Sequence, residues 1–451
     1  MKKNNLYILK YLVLFTLLFV LYACGGGGGG SSSTDGDTDT PVVGNIGTLS
    51  YAPETCSDTD QKDFIYDVMK DVYFWNDQTP VVDPSTYASN SDLLAALRVS
   101  PDSWSYNISQ QAYNDYYAGS NIGLGVKLTY SSVTNEIFIS LVYPSSPAAN
   151  AGLTRGFELL SVNGYSATDI IQNDLWDDAF GPNENGYVVD LTYIDTSDNT
   201  GTTSIVKTSY YAHSAPVYDI FTNATNSNKI GYLTYLAFSS NYRVDLSDAF
   251  EAFETNNISE LIVDLRYNGG GQNSAANYLG STIAGTPLIY NIMYAYLHNS
   301  RYSAWNRLVG FASSGATLNV DKIVFIVTSQ TASASELLIN SLTPYKDVIL
   351  IGSKTHGKPV GMYAFSYCTN YLVPISFQMV NSDGSGGYYD GFSVDCDDSD
   401  DLTKQLGDAT ESMLATAITY LETGGCSRSR ANTLNLRNVE RTGIERIFDN
   451  R

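Results

Sequence analysis

Two short stretches carry residue types that together could cleave an amide bond. Thr331-Ala-Ser333-Ala-Ser335-Glu336 closes an apolar strand and opens a helix, and Thr355-His-Gly-Lys358 follows the apolar run Val348–Ile351. A serine on a strand-to-helix turn is exposed, with backbone amides aimed where a reacting carbonyl would sit. Its hydroxyl needs a base. The chain holds three histidines, His213, His298 and His356, and lysine is the stronger candidate, because burial among apolar groups lets an amine lose its proton and accept another. His356, two residues before Lys358, is the rival base, but no acid is marked as its partner. A carboxylate beside the lysine would hold the proton on, the wrong direction for a base. Glu336 is therefore expected to cap its helix or to bind Arg266.

Taken alone, Ser333 would be read as a helix N-cap. The pairing with Lys358 and a glycine motif upstream, Asp264-Leu-Arg-Tyr-Asn-Gly-Gly-Gly271, makes catalysis the better reading. The glycines at 269–271 do not form a phosphate loop, since the G-x-x-x-x-G-K-[ST] pattern and the acidic partner of a dinucleotide site are both missing.

The elements that must position these groups follow from periodicity. Phe64, Ile65, Val68, Met69 and Val72 recur at helical spacing behind an Asp58-x-x-Gln61 start signal, and Leu93, Leu94 and Leu97 give a second short helix. Residues 49–118 form a small N-terminal helical domain. From 119 the period changes to strands, Gly125–Tyr130 and Ile137–Val142 among them. Between 217 and 426 strands (Lys229–Tyr235, Leu261–Leu265, Ile323–Val327, Val348–Ile351) alternate with helices, including one from Ser335 to about Leu342. This predicts an α/β multidomain chain whose core packs helices on a sheet.

The serine and lysine motifs, 25 residues apart from Ser333 to Lys358, and the D-L-R-x-N-x-G-G match at 264–271 resemble the C-terminal processing, or tail-specific, serine protease family. The resemblance covers roughly residues 56–425. It implies Ser333 as nucleophile and Lys358 as general base. It makes Gly270 and the Ala334 amide the oxyanion donors, with Gly271 as an alternative to Gly270, while Glu336 and Thr355 orient the site. Many relatives carry a glutamine where this chain has Met362, and an aromatic residue often stands in place of His356. Within residues 119–216, Ile122-Gly-Leu-Gly-Val126, Ser146-Pro-Ala-Ala-Asn-Ala-Gly-Leu153 and Ser161-Val-Asn-Gly164 resemble a PDZ domain of the bacterial protease-associated type. Gly156-Phe157 stands in place of the usual Gly-Asp. The resemblance implies that Ile122, Gly123, Leu124 and Gly125 bind the C-terminal carboxylate of a substrate added as a strand. The partners expected are proteins or peptides with accessible C-termini, with no metal and no cofactor. The alternative is a non-catalytic peptide- or small-ligand-binding lipoprotein on the same scaffold, as resemblance to retinoid-binding relatives permits. Retention of both Ser333 and Lys358 argues against it.

Bulk properties bound the setting. With 25 Lys+Arg against 47 Asp+Glu the net charge is −22, which argues against a nucleic-acid partner. Residues 1–23 read as a lipoprotein signal peptide: Lys2 and Lys3 precede an apolar run, and Leu21-Tyr-Ala-Cys24 resembles a lipobox whose cysteine is acylated. Residues 24–48 are a Gly/Ser/Asp-rich tether. Gly25 lacks the aspartate of inner-membrane retention, so the expected place is the bacterial cell envelope, lipid-anchored at the outer membrane and facing the periplasm or the exterior. Cys56, Cys368, Cys396 and Cys426 remain. In an oxidising compartment they would form two disulfides, and with no C-x-x-C pair zinc is not expected. A hairpin between 371–377 and 388–394 would join Cys368 to Cys396, leaving Cys56 for Cys426. Residues 427–451 are a polar, Arg-rich tail.

Overall fold

The computed structural model describes residues 52–118, 120–318, 320–426 and 436–439. The signal segment, the tether and Cys24 lie outside them.

The first helix, Asp58–Asp71, is capped by Ser57, whose hydroxyl accepts the Asp60 amide at 3.2 Å. The start signal read at Asp58 is therefore displaced by one residue, because the shorter serine side chain satisfies the free amide of the first turn. The buried face of this helix (Phe64, Ile65, Val68, Met69) meets Leu93, Leu94 and Leu97 of the helix Asn90–Leu97. These side chains do not make a core of their own. They share one with Trp104, Val360, Phe365, Leu372 and Ile375, so the helical segment is packed onto the strands that flank Lys358.

The central sheet runs in the order Tyr218–Thr222, Lys229–Thr234, Glu260–Asp264, Lys322–Val327, Asp347–Gly352, Cys396–Asp397, parallel from the second strand onward. Its inner strands are apolar at successive positions because both faces are covered. Leu261, Val263, Ile323, Phe325 and Val327 face the helices Tyr242–Asn256, Asn273–Ala284 and Ala334–Leu342. Ile262, Val324, Ile326, Ile349 and Ile351 face Leu414, Ala417 and Leu421 of Ser412–Thr423. The loops leaving the carboxyl ends of three neighbouring strands are Leu265–Gln272, Thr328–Ser333 and Ser353–Lys358. In parallel sheets that end is where ligand sites assemble.

A separate sheet holds the strands Val126–Ser131, Glu136–Val142, Glu158–Val162, Val188–Ile194 and Thr200–Val206 in that order. Its core includes Leu124, Leu128, Ile139, Leu159, Trp176 and Val189. Within the 427–451 tail, Leu436–Val439 adds a strand to the Val126–Ser131 edge of this sheet.

The cysteines pair differently from the sequence expectation: Cys56 with Cys368, and Cys396 with Cys426. The expected hairpin is absent. Ile375–Asn381 pairs with Ile292–His298 and with Val360–Met362, and residues 388–394 form no strand. Cys368 sits instead at the turn between Phe365–Tyr367 and Asn370–Val373, and the second of these pairs with Tyr106–Ser109 of the N-terminal segment. That places Cys368 beside Cys56. Cys396 lies on the last strand of the central sheet, and Cys426 just past the helix that packs across it.

Candidate active site

The Leu265–Gln272 loop is laced to the serine turn by side chains that accept or donate across it. Thr331 Oγ1 donates to the Leu265 carbonyl at 2.9 Å, and Ser335 Oγ to the Asn268 carbonyl at 3.0 Å. The Asn268 carbonyl also takes the Ala332 amide at 3.2 Å. Gly270, at φ +106, leaves no room for a side chain: a Cβ there would meet Ser333 Cβ at 2.8 Å and the Ala334 nitrogen at 3.0 Å. This close approach explains the glycine. Ser333 itself has φ 56 and ψ −114, a left-handed backbone that a side-chain-bearing residue adopts at a cost of about 1–3 kcal/mol.

Glu336, fully buried one turn into that helix, is the hub of the site. Its Oε2 accepts the Ser333 amide at 3.1 Å and the Lys358 amide at 2.8 Å. Its Oε1 accepts the Gly357 amide at 2.7 Å and the Thr355 hydroxyl at 2.6 Å. Ser333 and Lys358 thus hang from one oxygen, with their backbone nitrogens within about 6 Å of each other. Burial pushes the Glu336 carboxyl up from its ordinary value, opposed by Thr355, Lys358, Gly357 and Ser333, whose hydrogen bonds favour the charged form. Glu336 caps its helix as expected but does not bind Arg266. That guanidinium is taken by Asp264, Glu411 and Asp400.

Lys358 is 8% exposed, and its Nζ donates to Met362 Sδ at 3.7 Å. The residue that replaces the family's glutamine supplies an acceptor of its own, though a thioether is a weak one. Trp104, from the N-terminal segment, donates its indole N–H to His356 Nε2 at 3.2 Å. An indole can only donate, so the Nε2 lone pair of His356 is occupied. The Gly270 amide donates to Asn268 Oδ1 at 2.9 Å, whereas among the described residues neither the Gly271 nor the Ala334 amide has an acceptor. Ala334 starts its helix, where free amides and the helix dipole both favour negative charge.

Nothing in the sequence signalled a second cluster. Arg155, from the 120–211 sheet region, donates to Tyr267 Oη, to Asp400 and to the Ser140 carbonyl. Tyr267 in turn donates to Asp400, which also takes Arg266 Nη1 at 2.7 Å. The loop that reaches Gly270 is thereby tied to that region and to the 398–411 segment. The bonds that join Arg155 to Tyr267 and Arg266 to Asp400 span 112 and 134 residues, so no local spacing could reveal them.

The segment 122–125, expected to bind a carboxylate, is held through its backbone. Ile122 and Gly123 pair with Ser209 and Thr208, and the carbonyls of Leu124 and Gly125 accept the amides of Ala148 and Tyr143 at 2.9 Å each.

Residues 229–381 match the sequence model of peptidase family S41, and residues 60–106 that of the peptidase S41 N-terminal domain. Over these residues the chain is similar to peptidase family S41. A carboxyl-terminal-processing protease of Picosynechococcus sp. is 25% identical over 243 residues, which cover 53% of this chain and 55% of the relative. The chloroplastic carboxyl-terminal-processing peptidase 3 of Arabidopsis thaliana is 25% identical over 284 residues, or 61% and 53% of the two chains. The chain spans about half the length of these curated relatives. A candidate S41 protease of Bacteroides fragilis has the same fold at a TM-score of 0.67 and 24% identity, over 79% of this chain and 96% of that one.

Proposed function

We propose that the chain is a serine endopeptidase of the C-terminal processing kind, with Ser333 as nucleophile and Lys358 as general base. The observation that carries this reading is the Glu336 carboxylate, which holds the amides of Ser333 and Lys358 on one oxygen. Ser333 Oγ attacks the scissile carbonyl carbon while its proton passes to Lys358 Nζ, which must be neutral to take it. The negative charge that forms on the carbonyl oxygen is received by the Ala334 N–H and by one donor of the glycine loop. That donor is either Gly270, exchanging Asn268 for the oxyanion, or Gly271. Lys358 returns the proton to the leaving amine as the C–N bond breaks. A water molecule then repeats the attack on the acyl-enzyme, and Ser333 is regenerated.

The bond from Trp104 to His356 Nε2 counts against the Ser/His alternative, since that nitrogen would have to give up the indole to serve as base. Ile122–Gly125 and the neighbouring strand Val126–Ser131 receive the substrate's C-terminal segment by strand addition, as in a PDZ domain. Acylation of Cys24 holds the protein on the envelope membrane. In the test, Ser333→Ala and Lys358→Ala each lower turnover of an unfolded protein substrate by at least about 10³-fold with circular dichroism unchanged, and His356→Ala retains most of it. Near-wild-type rates in Lys358→Ala with loss in His356→Ala would replace lysine by histidine.

A further inference from the structure

The edge proposed to receive substrate is already filled by the chain itself. Leu436–Val439 pairs antiparallel with Val126–Ser131: Leu436 opposite Ser131, Arg437 opposite Tyr130, Asn438 opposite Thr129 and Val439 opposite Leu128. The other side of Val126–Ser131 is taken by Glu136–Val142, so without Leu436–Val439 it is a free edge. Such an edge is a template for an added strand. The direction of the pairing is that of a ligand. As the segment runs from 436 to 439 its partner position falls from 131 to 128, so it heads toward the Ile122–Gly125 loop.

Charge supports the same occupant. Residues 427–451 carry six arginines (428, 430, 437, 441, 446 and 451) against Glu440, Glu445 and Asp449, a net +3. Residues 1–426 then hold 19 basic and 44 acidic groups, a net −25. A basic segment is drawn to an acidic body at low salt and is released as salt screens the attraction.

We propose that residues 436–439 are the resident ligand of this edge, and that an extended substrate segment binds by displacing them. The proposal rests on reading the 120–211 region as the peptide-binding module. The segment therefore acts as a competitor in cis, and substrates are selected for the ability to outcompete it.

Binding is tested apart from catalysis in a Ser333→Ala background, with the fluorescent peptide Thr433–Arg441 as probe. A chain ending at Arg430, which keeps Cys426, should bind the peptide about tenfold more tightly than the full chain, since the full chain's site is mostly occupied. In the full chain, Arg437→Pro with Asn438→Pro should reproduce the truncation. Of two consecutive strand residues one must turn its N–H to the partner, and proline removes it. The difference should shrink in 0.5 M salt, about five times the ionic strength at which the screening length is about 10 Å. Equal affinities for all three chains, or no binding to any, overturns the proposal. With Ser333 restored, the shortened chain should cleave an unfolded protein with a several-fold lower KM. A shortened chain that binds the peptide but cleaves nothing would refute the peptidase reading and leave the resident segment standing.

Discussion

Glu336, beside the base proposed at Lys358, accepts four hydrogen bonds. Their donors are the amides of Ser333, Gly357 and Lys358 and the Thr355 hydroxyl, so the carboxylate holds the backbone of both motifs. Two roles proposed for Glu336 from sequence thus fare differently: capping holds, and Arg266 turns elsewhere. The Lys358 amine instead contacts Met362 Sδ. Met362→Gln replaces this weak acceptor by an amide oxygen, which favours the protonated amine more strongly. The limb of the pH–rate profile that rises as the base loses its proton should therefore move to higher pH, with the plateau rate kept within about threefold. Met362→Leu removes the acceptor and should lower the plateau. An unshifted limb in Met362→Gln would mean that the sulfur does not face the working base.

At the scale of elements, the apolar strands and the helix behind Ser333 were legible because both faces of a parallel sheet are covered, leaving continuous runs such as Ile323–Val327. Two of the errors have one cause. The pairing of Cys368 and the strand expected at 388–394 both turn on which distant strand a segment joins. Periodicity does not encode that choice. The Arg155–Tyr267–Asp400–Arg266 cluster was invisible for the same reason. Burial raises the Asp400 carboxyl, but Arg155 and Arg266, with the Tyr267 hydroxyl, pull it down to about 2. Since this folded value lies below the unfolded one of about 4, the stabilisation is complete above about pH 4 and is lost as pH falls toward 2. Asp400→Asn should cost about 3–5 kcal/mol at neutral pH by leaving two buried guanidinium groups short of a partner. It should also flatten the loss of stability between pH 4 and 2, as measured by denaturant unfolding. An acid limb as steep as that of the wild type would assign it to other carboxylates.

For the whole molecule, the helical segment, the 120–211 sheet and the 398–411 segment all converge on the loops around Ser333: Trp104 on His356, and Arg155 and Asp400 on Tyr267. The lipid anchor proposed at Cys24 would set where this assembly works. Cys24→Ser should yield a chain that no longer labels with palmitate or partitions into detergent, whereas unchanged partitioning would point to the apolar run itself as the anchor. The Ser333/Lys358 pair is tested most directly by a tagged fluorophosphonate, which forms an adduct only with an activated serine, followed by mass mapping of the labelled peptide. The expected result is one adduct on Ser333 in the wild-type chain, lost in Lys358→Ala and retained in His356→Ala. No adduct on Ser333, or an adduct that survives Lys358→Ala and disappears in His356→Ala, would contradict it.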